Sequence, residues 1–462
     1  MKRTLFCLLL APLCFLAAGC VENVWLPDSS GFVCITRDHT LVHYDLAKKT
    51  PRTVLEFDWL HGEEEVFERP AVSPDGKRVA LVRHVSSKDA ETAQILIYDL
   101  ASGKEVEKSK ELPLPGHADF SPQPLVRSGM VFWAPDGKHI LFQVEAPLFK
   151  DGKRVERQLF GGEASEVTVT TFGIYDRDSR KHVLCTNLGL DPEDVISGFQ
   201  PFTPDKRGAI LFRGAEKGKK KTDDEENARG WEGTVFVNWE GREQPFKVSK
   251  ALTEAVEKEH QEQEKLRKAG ARGYDDLTPP HWEGAVACIP THRGFARLDA
   301  AKMTADYRPD PACAARRDYA LKNKVDVLAW KADLLVQFRD DPPRDAPPKP
   351  PEPGEKPKPQ YSDVELVAGA LVAGKPAGKP IKVIRIEGVE CWSFSPNREY
   401  LLLRSSVTND DGERCRRVVI DTKGKVVADF TEKTAAKEPE PPPPPPPPPP
   451  DSPTAANPAS DA

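Results

Sequence analysis

The chain has 462 residues, 39% of them hydrophobic and 30% charged, which is enough for one large repeat domain or two to three ordinary ones. Its formal net charge of -6 gives it no electrostatic attraction to phosphate backbones, so nucleic acid is excluded as a partner class. None of its 9 cysteines has CxxC spacing, which argues against a cysteine metal site or a redox motif, and no cofactor is expected.

The first element is Lys2 and Arg3 followed by the apolar run LFCLLLAPLCFLAA, the layout of an export signal and too short to span a bilayer comfortably. An ordinary signal peptide or a short membrane helix would share that layout. Leu16, Ala17, Ala18, Gly19 and Cys20 resemble the lipobox of bacterial lipoproteins, in which small residues precede a cysteine that is acylated and becomes the new N-terminus. The resemblance implies that residues 1–19 are removed as a signal peptide and that Cys20 anchors an exported chain to a membrane, facing the periplasm. Val21, where an Asp would stand in inner-membrane lipoproteins, implies the outer membrane rather than the inner. Each buried acyl methylene adds roughly 0.8 kcal/mol to such an anchor. Removing Lys2 and Arg3 and no acidic residue takes the formal charge from -6 to -8. Cys7 and Cys14 leave with the signal; Cys34, Cys185, Cys288, Cys313, Cys391 and Cys415 then face an oxidising space. Cys391 and Cys415 could bridge neighbouring strands, and buried free thiols in a large core are the commoner outcome.

From Trp25 onward one pattern recurs. WLPDSSGFVCIT leads to LVHYDLAKKT; AVSPDGKRVALV leads to QILIYDL; VFWAPDGKHILF repeats the same turn; FTPDKRGAILFR leads to TVFVNWEGRE; FSPNREYLLLRS leads to RRVVIDTKGK. The turn positions are Pro27 and Asp28, Pro74, Asp75 and Gly76, Pro135, Asp136 and Gly137, Pro204 and Asp205, and Pro396. Proline presets φ at the second position of a type I turn, Asp bonds back to the backbone, and Gly takes the positive φ that closes the hairpin. The alternating apolar residues that follow read as a strand buried in a stack of sheets. VLAWKADLLVQFRD, from Val327, has lost the Pro-Asp pair but keeps the strand, turn, strand order, with DVELVAGAL as its expected partner. GAVACIPTHRGFARL, from Gly284, reads as the front half of one more unit.

Four strands in a period of roughly 45 residues is the signature of a β-propeller blade, a unit that cannot bury both faces alone. The expected fold is therefore all-β, a β-propeller of six or seven four-stranded blades, seven being preferred, spanning residues 20–434. These units resemble the Pro-Asp class of WD-repeat-like propellers, the repeat of the periplasmic TolB protein and of the propeller in prolyl oligopeptidases. The resemblance runs from about Val24 to Phe430 and speaks to fold rather than to function.

Three inserts interrupt the repeat: the charged 215–230, the helix-former-rich 251–280 and the proline-rich 340–360. In a blade of four strands the connections between second and third strands, and between blades, share one face, and these inserts all belong to it. A second short helix is expected around Pro311 to Lys322. Residues 435–462 form a proline-rich tail without a packed core, in which Pro441 to Pro450 make a polyproline II rod of roughly 30 Å.

Neither HExxH nor GxSxG occurs, and too few residues follow Phe430 for the hydrolase domain of prolyl oligopeptidases. His84, His117, His139, His182 and His292 are the candidates for a channel metal site, each more often a satisfied loop histidine, and the carboxylates near Asp191 and Asp410 lack the spacing of a calcium loop. No catalytic and no metal-ligating residue is assigned. The expected function is a non-catalytic, membrane-anchored binding scaffold that meets an envelope protein through its inserted loops. The alternative is a propeller enzyme, a lyase or hydrolase acting on polysaccharide or peptide through a channel metal. A third reading is a structural protein whose proline tail engages the cell wall.

Overall fold

The computed structural model describes residues 23–36, 40–57, 64–66, 70–86, 91–113, 131–147, 149–150, 153–154, 156–158, 164–166, 168–184, 201–211, 234–268, 280–291, 293–331, 333–341, 361–369, 371–372, 375–376, 378, 380–409 and 412–431. The segment containing Leu16, Ala17, Ala18, Gly19 and Cys20, the insert 215–230, nearly all of 340–360 and the tail 435–462 lie outside the described residues, as do His117, Cys185, Asp191, His292 and Asp410.

The fold is an all-β propeller in which sheets of three or more strands follow one another along the chain. The first is built from Val24–Trp25, Gly31–Ile35, Thr40–Asp45 and Thr50–Glu56, each strand antiparallel to the one before it. The seventh repeats the plan with Val389–Phe394, Tyr400–Asn409, Gly412–Asp421 and Val426–Thr431. Within a sheet, burial falls from the second strand to the fourth. Gly31–Ile35 is buried throughout, whereas Thr50–Glu56 is largely exposed, as expected when the last strand forms the outer edge of a ring.

The Pro-Asp turns explain how the second strand is launched. In all five copies the last turn residue has positive φ: Ser29 (63°), Gly76 (70°), Gly137 (73°), Lys206 (62°) and Arg398 (58°). Its N–H donates to the carbonyl three residues back, at 2.8 Å for Gly76 and Ser73 and 3.0 Å for Gly137 and Ala134. The Asp carboxylate accepts the backbone N–H two residues on, from Ser30 to Asp28, Lys77 to Asp75, Lys138 to Asp136 and Arg207 to Asp205, and Asn397 accepts from Glu399 in the same way.

Consecutive sheets bury apolar faces against each other. Leu26, Val33 and Leu41 of the first pack on Val79, Leu81 and Leu96 of the second. Val82 and Ile97 meet Trp133 and Phe142 of the third, whose Phe132 and Phe172 meet Phe202 and Val237 of the fourth. Ile210 and Phe236 meet Ile289 and Leu298 of the fifth. Trp330 and Phe338 of the sixth meet Leu403 and Ile420 of the seventh, and Leu402 and Phe430 of the seventh return to Phe32 and Tyr44 of the first. That last contact closes the ring.

Two sequence expectations need correction. GAVACIPTHRGFARL supplies the middle strands of the fifth sheet, Val286–Pro290 and Gly294–Asp299, flanked by His281–Glu283 and Thr304–Pro309, so it is the centre of a unit and not its front half. Cys391 and Cys415 do not lie on neighbouring strands: Tyr400–Asn409 runs between theirs, and both are free thiols. Two strand spacings of about 4.8 Å exceed the span of a disulfide. Cys391 instead stands opposite Arg404, which is 1% exposed.

Among the described residues no helix is long and apolar enough to cross a membrane. The two helices are α1, Lys250–Lys268, and α2, Pro311–Asn323. The second matches its expected bounds because Asp310 caps it, accepting from Ala312 N at 3.0 Å, with Pro311 in the first turn and Lys324 in a left-handed conformation at its end.

Candidate functional site

One junction of the ring differs from the rest. Among the described residues, the other junctions between consecutive sheets each share a cluster of nine or more buried apolar residues, but the fifth and sixth sheets meet through two clusters of three. Helix α2 is wedged there. Its Cys313 packs with Cys288 and Phe295 of the fifth sheet, and its Ala320 packs with Val327 of the sixth. Tyr319 donates to Gln337 Oε1 of the sixth sheet at 2.9 Å.

Helix α1 packs at the neighbouring junction, between the fourth and fifth sheets, and reaches towards α2 through the turn at Arg293. Leu252 is fully buried, Ala255, Val256 and Leu266 are half-buried, and the remaining described faces are mostly charged, so the stripe expected from the sequence is the one that packs. Ser249 Oγ accepts from Leu252 N at the helix start and donates to Asp306 Oδ1 of the fifth sheet at 2.7 Å. Both helices converge on Arg293, in the turn between the second and third strands of that sheet. Its backbone N–H donates to Glu259 Oε1 at 3.1 Å and its Nε to Glu262 Oε2 at 3.0 Å, both from α1, while a terminal nitrogen donates to Asp318 Oδ1 of α2 at 3.4 Å. Glu259 is 8% exposed, so its bond from the Arg293 N–H helps to satisfy a buried carboxylate. The two helices thus flank one turn of the propeller on the face where the sequence placed the inserts.

On the inner hairpin of the same sheet, His281 and Glu283 alternate onto one face of their strand, and Cys288 stands opposite His281 on the next. Their ligand atoms lie within 4.8 Å of one another, the one group of three such side chains among the described residues. Arg308 reaches across from the fourth strand and grips Glu283 through two hydrogen bonds of 2.9 and 2.7 Å. That grip, ahead of every other influence, holds the Glu283 carboxyl down at about 2. Burial, followed by the Glu283 charge, pushes the Cys288 thiol up, so it is neutral at ordinary pH. Phe295 forms the floor, with the His281 ring edge-on at 5.3 Å and Arg308 over its face at 5.5 Å.

Of the five histidines singled out from the sequence, His139 and His182 have described side chains, and each is engaged locally. His139 Nδ1 lies 2.6 Å from Asp136 Oδ2 and its ring stacks on Trp239 at 4.5 Å, which fastens the third sheet to the fourth. His182 Nε2 bonds the Lys110 carbonyl at 3.0 Å and packs on Tyr175. His84 is described in its backbone only, within Arg78–Ser86, and His117 and His292 lie outside the described residues. The turn residues Pro27, Asp28, Pro74, Asp75, Gly76, Pro135, Asp136, Gly137, Pro204, Asp205 and Pro396 sit at the sheet hairpins, with no ligand-type grouping among them. The sequence reading passed over His281, although the stretch HWEGAVAC carried a usable signal. A two-residue turn at Gly284 and Ala285 pairs each residue with the one whose number sums to 569, which sets His281 against Cys288.

No protein-family profile matches the chain, and no curated protein matches it in sequence. Solved structures similar in fold include an acylaminoacyl peptidase from Pyrococcus horikoshii, 12% identical with a TM-score of 0.39 over 89% of this chain and 50% of that one. Prolyl oligopeptidase B from Galerina marginata is 10% identical with a TM-score of 0.42 over 90% of this chain and 51% of that one. Dipeptidyl peptidase 4 from Porphyromonas gingivalis is 11% identical with a TM-score of 0.35 over 89% and 59%. The chain thus spans about half the length of the first two, and a likeness of this size says nothing of activity.

Proposed function

We propose that this propeller is a non-catalytic binding scaffold, exported and held on a membrane through acylated Cys20, which captures an envelope protein on the face that carries its inserts. The observation that supports this reading most is the convergence of α1 and α2 on Arg293: two added helices, neither required by a four-stranded sheet, are fastened side by side to one turn. A charged helix held by a buried carboxylate offers a fixed, solvent-facing surface, which is what a docking element needs. The proline tail then acts as a spacer or a second contact.

The test is affinity capture from detergent-solubilised envelopes with the mature, lipidated protein, beside a variant whose α1 is replaced by a short Gly-Ser loop. A defined partner retained by the first and lost by the second supports the scaffold; equal recovery by both overturns it. A Cys20→Ser form tests the anchor separately, because the reading requires that form to leave the membrane fraction. The alternative, an enzyme acting on polysaccharide or peptide, draws its support from the His281, Glu283 and Cys288 grouping, and turnover of either polymer by the purified chain would favour it.

A further inference from the structure

The inner hairpin of the fifth sheet brings together one nitrogen, one oxygen and one sulfur ligand type. His281 and Cys288 are fixed as a cross-strand pair and Glu283 is two residues along the same face, so backbone pairing sets all three positions. The Cys288 side chain is fully buried, whereas those of His281 and Glu283 are each 37% exposed, which leaves an approach from solvent. His281 Nε2 stands 3.6 Å from Glu283 Oε1, so the imidazole faces the carboxylate. The cation that Glu283 holds is the Arg308 guanidinium, whose own side chain is 42% exposed.

We propose that His281, Glu283 and Cys288 bind one divalent transition-metal ion of the zinc class, with Arg308 as the resident cation that the metal displaces. Zinc takes mixed nitrogen, oxygen and sulfur ligands in tetrahedral sites, and three protein ligands leave the fourth position for water. On binding, the Cys288 S–H bond breaks and its proton leaves to water while a metal–sulfur bond forms. His281 Nε2 gives its lone pair to the ion, and Glu283 exchanges two hydrogen bonds from Arg308 for a bond to the metal. Arg308 keeps its charge and turns into solvent, which its exposure makes inexpensive. Because a proton leaves, binding strengthens as pH rises. This inference is independent of partner capture and stands or falls without it.

The experiment uses the full mature chain, reduced and stripped with a chelator, then titrated with Co²⁺ and followed by absorption. The expected result is one equivalent bound, with a thiolate-to-cobalt band in the near ultraviolet and tetrahedral bands in the visible, all abolished by one equivalent of Zn²⁺. Cys288→Ser removes the near-ultraviolet band, whereas Cys391→Ser keeps it. His281→Gln weakens binding by about tenfold or more. Because Cys288→Ser puts a hydroxyl in a buried cluster and can unfold the sheet, Arg308→Gln supplies a second readout: it removes the competitor for Glu283 and raises Co²⁺ affinity. No near-ultraviolet band at one equivalent in the unmodified chain overturns the proposal, as does a band that survives Cys288→Ser or an affinity that falls in Arg308→Gln.

Discussion

Trp25 and Ser393 are separated by 368 positions in sequence and joined by a hydrogen bond of 3.1 Å from the indole Nε1 to the serine Oγ. The bond links the first strand of the first sheet to the first strand of the seventh. Each of those sheets is built from one continuous stretch of chain, so no strand is exchanged between the two ends, and contacts that involve side chains, including the Asn397 N–H to Ser29 Oγ at 3.2 Å, close the ring. Arg417, 1% exposed, reinforces the closure by donating to Asn23 Oδ1 at 2.7 Å and to the Tyr44 hydroxyl at 3.3 Å.

Phe430 tests that closure. It is 4% exposed and packs edge-on against Phe32 at 5.9 Å and Tyr44 at 4.9 Å. Phe430→Ala is expected to cost about 3–5 kcal/mol through lost burial and the cavity left behind. Trp25→Phe, which removes the Nε1–H donor, is expected to cost about 0.5–1.5 kcal/mol for the bond, plus the smaller loss from a lighter ring. Urea unfolding curves measure both, and equal effects from the two substitutions would contradict closure by apolar packing.

The Pro-Asp turns give a paired prediction of opposite signs. Lys206 is exposed and holds a φ of 62° that disfavours any side chain, at roughly 1–2 kcal/mol per L-residue. Lys206→Gly is therefore expected to stabilise by about 1 kcal/mol, less the entropy that glycine adds to the unfolded chain. Gly137, with a φ of 73° and no heavy atom within 4 Å of an added Cβ, isolates the same backbone cost: Gly137→Ala is expected to destabilise by about 1 kcal/mol. Thermal or urea midpoints that move in the same direction for both would refute the shared turn geometry.

The turns made most of the fold legible in advance, because their chemistry is local: proline, an Asx carboxylate and a positive φ act within four residues. A second local signal lies at the far end of the third strand. Six of the turns between third and fourth strands open on Asp45, Asp99, Asp176, Asn238, Asp299 or Asp421, whose side-chain oxygen accepts backbone N–H groups two to four residues on. Asp299 marks the fifth sheet as complete although that sheet has no Pro-Asp turn. The seam was not legible, because the wedging of α2 between two sheets depends on contacts among Cys288, Phe295, Cys313 and Val327, which no spacing relates. Arg308 gripping Glu283 lies 25 positions away and was hidden for the same reason.

Tyr175 gives a pH prediction at the second and third sheets. Its hydroxyl donates to Glu107 Oε1 at 3.1 Å, and Arg177 holds the other Glu107 oxygen at 2.6 Å. Burial, then the Glu107 charge, pushes the phenol from 10.0 up to about 12. A folded-state value above the unfolded one means that the neutral phenol stabilises the fold fully below pH 10, and that this contribution fades as pH rises from 10 toward 12. The stability difference between the unmodified chain and Tyr175→Phe should be constant from pH 7 to about 9 and shrink between 10 and 12. A difference that grows over that interval would reverse the assigned sign.

Arg293 separates a local role from a global one. Its contacts to Glu262 and Asp318 lie between side chains that are each more than a third exposed, so each contributes about 0.2–1 kcal/mol after solvent screening. The backbone N–H to Glu259 survives any substitution at the side chain. Arg293→Ala should therefore lower global stability by only about 1 kcal/mol. Helix α1 depends on that side chain more than the sheets do, because Leu252 is its one fully buried residue among those described and lies in the first turn, well before Glu262. Hydrogen exchange should accordingly rise in the second half of Lys250–Lys268 and stay unchanged in Gly31–Ile35 and Tyr400–Asn409. Uniform acceleration across all three segments would make Arg293 a general support of the ring, and unchanged exchange in α1 would mean that the helix is held by Leu252 and Glu259 alone.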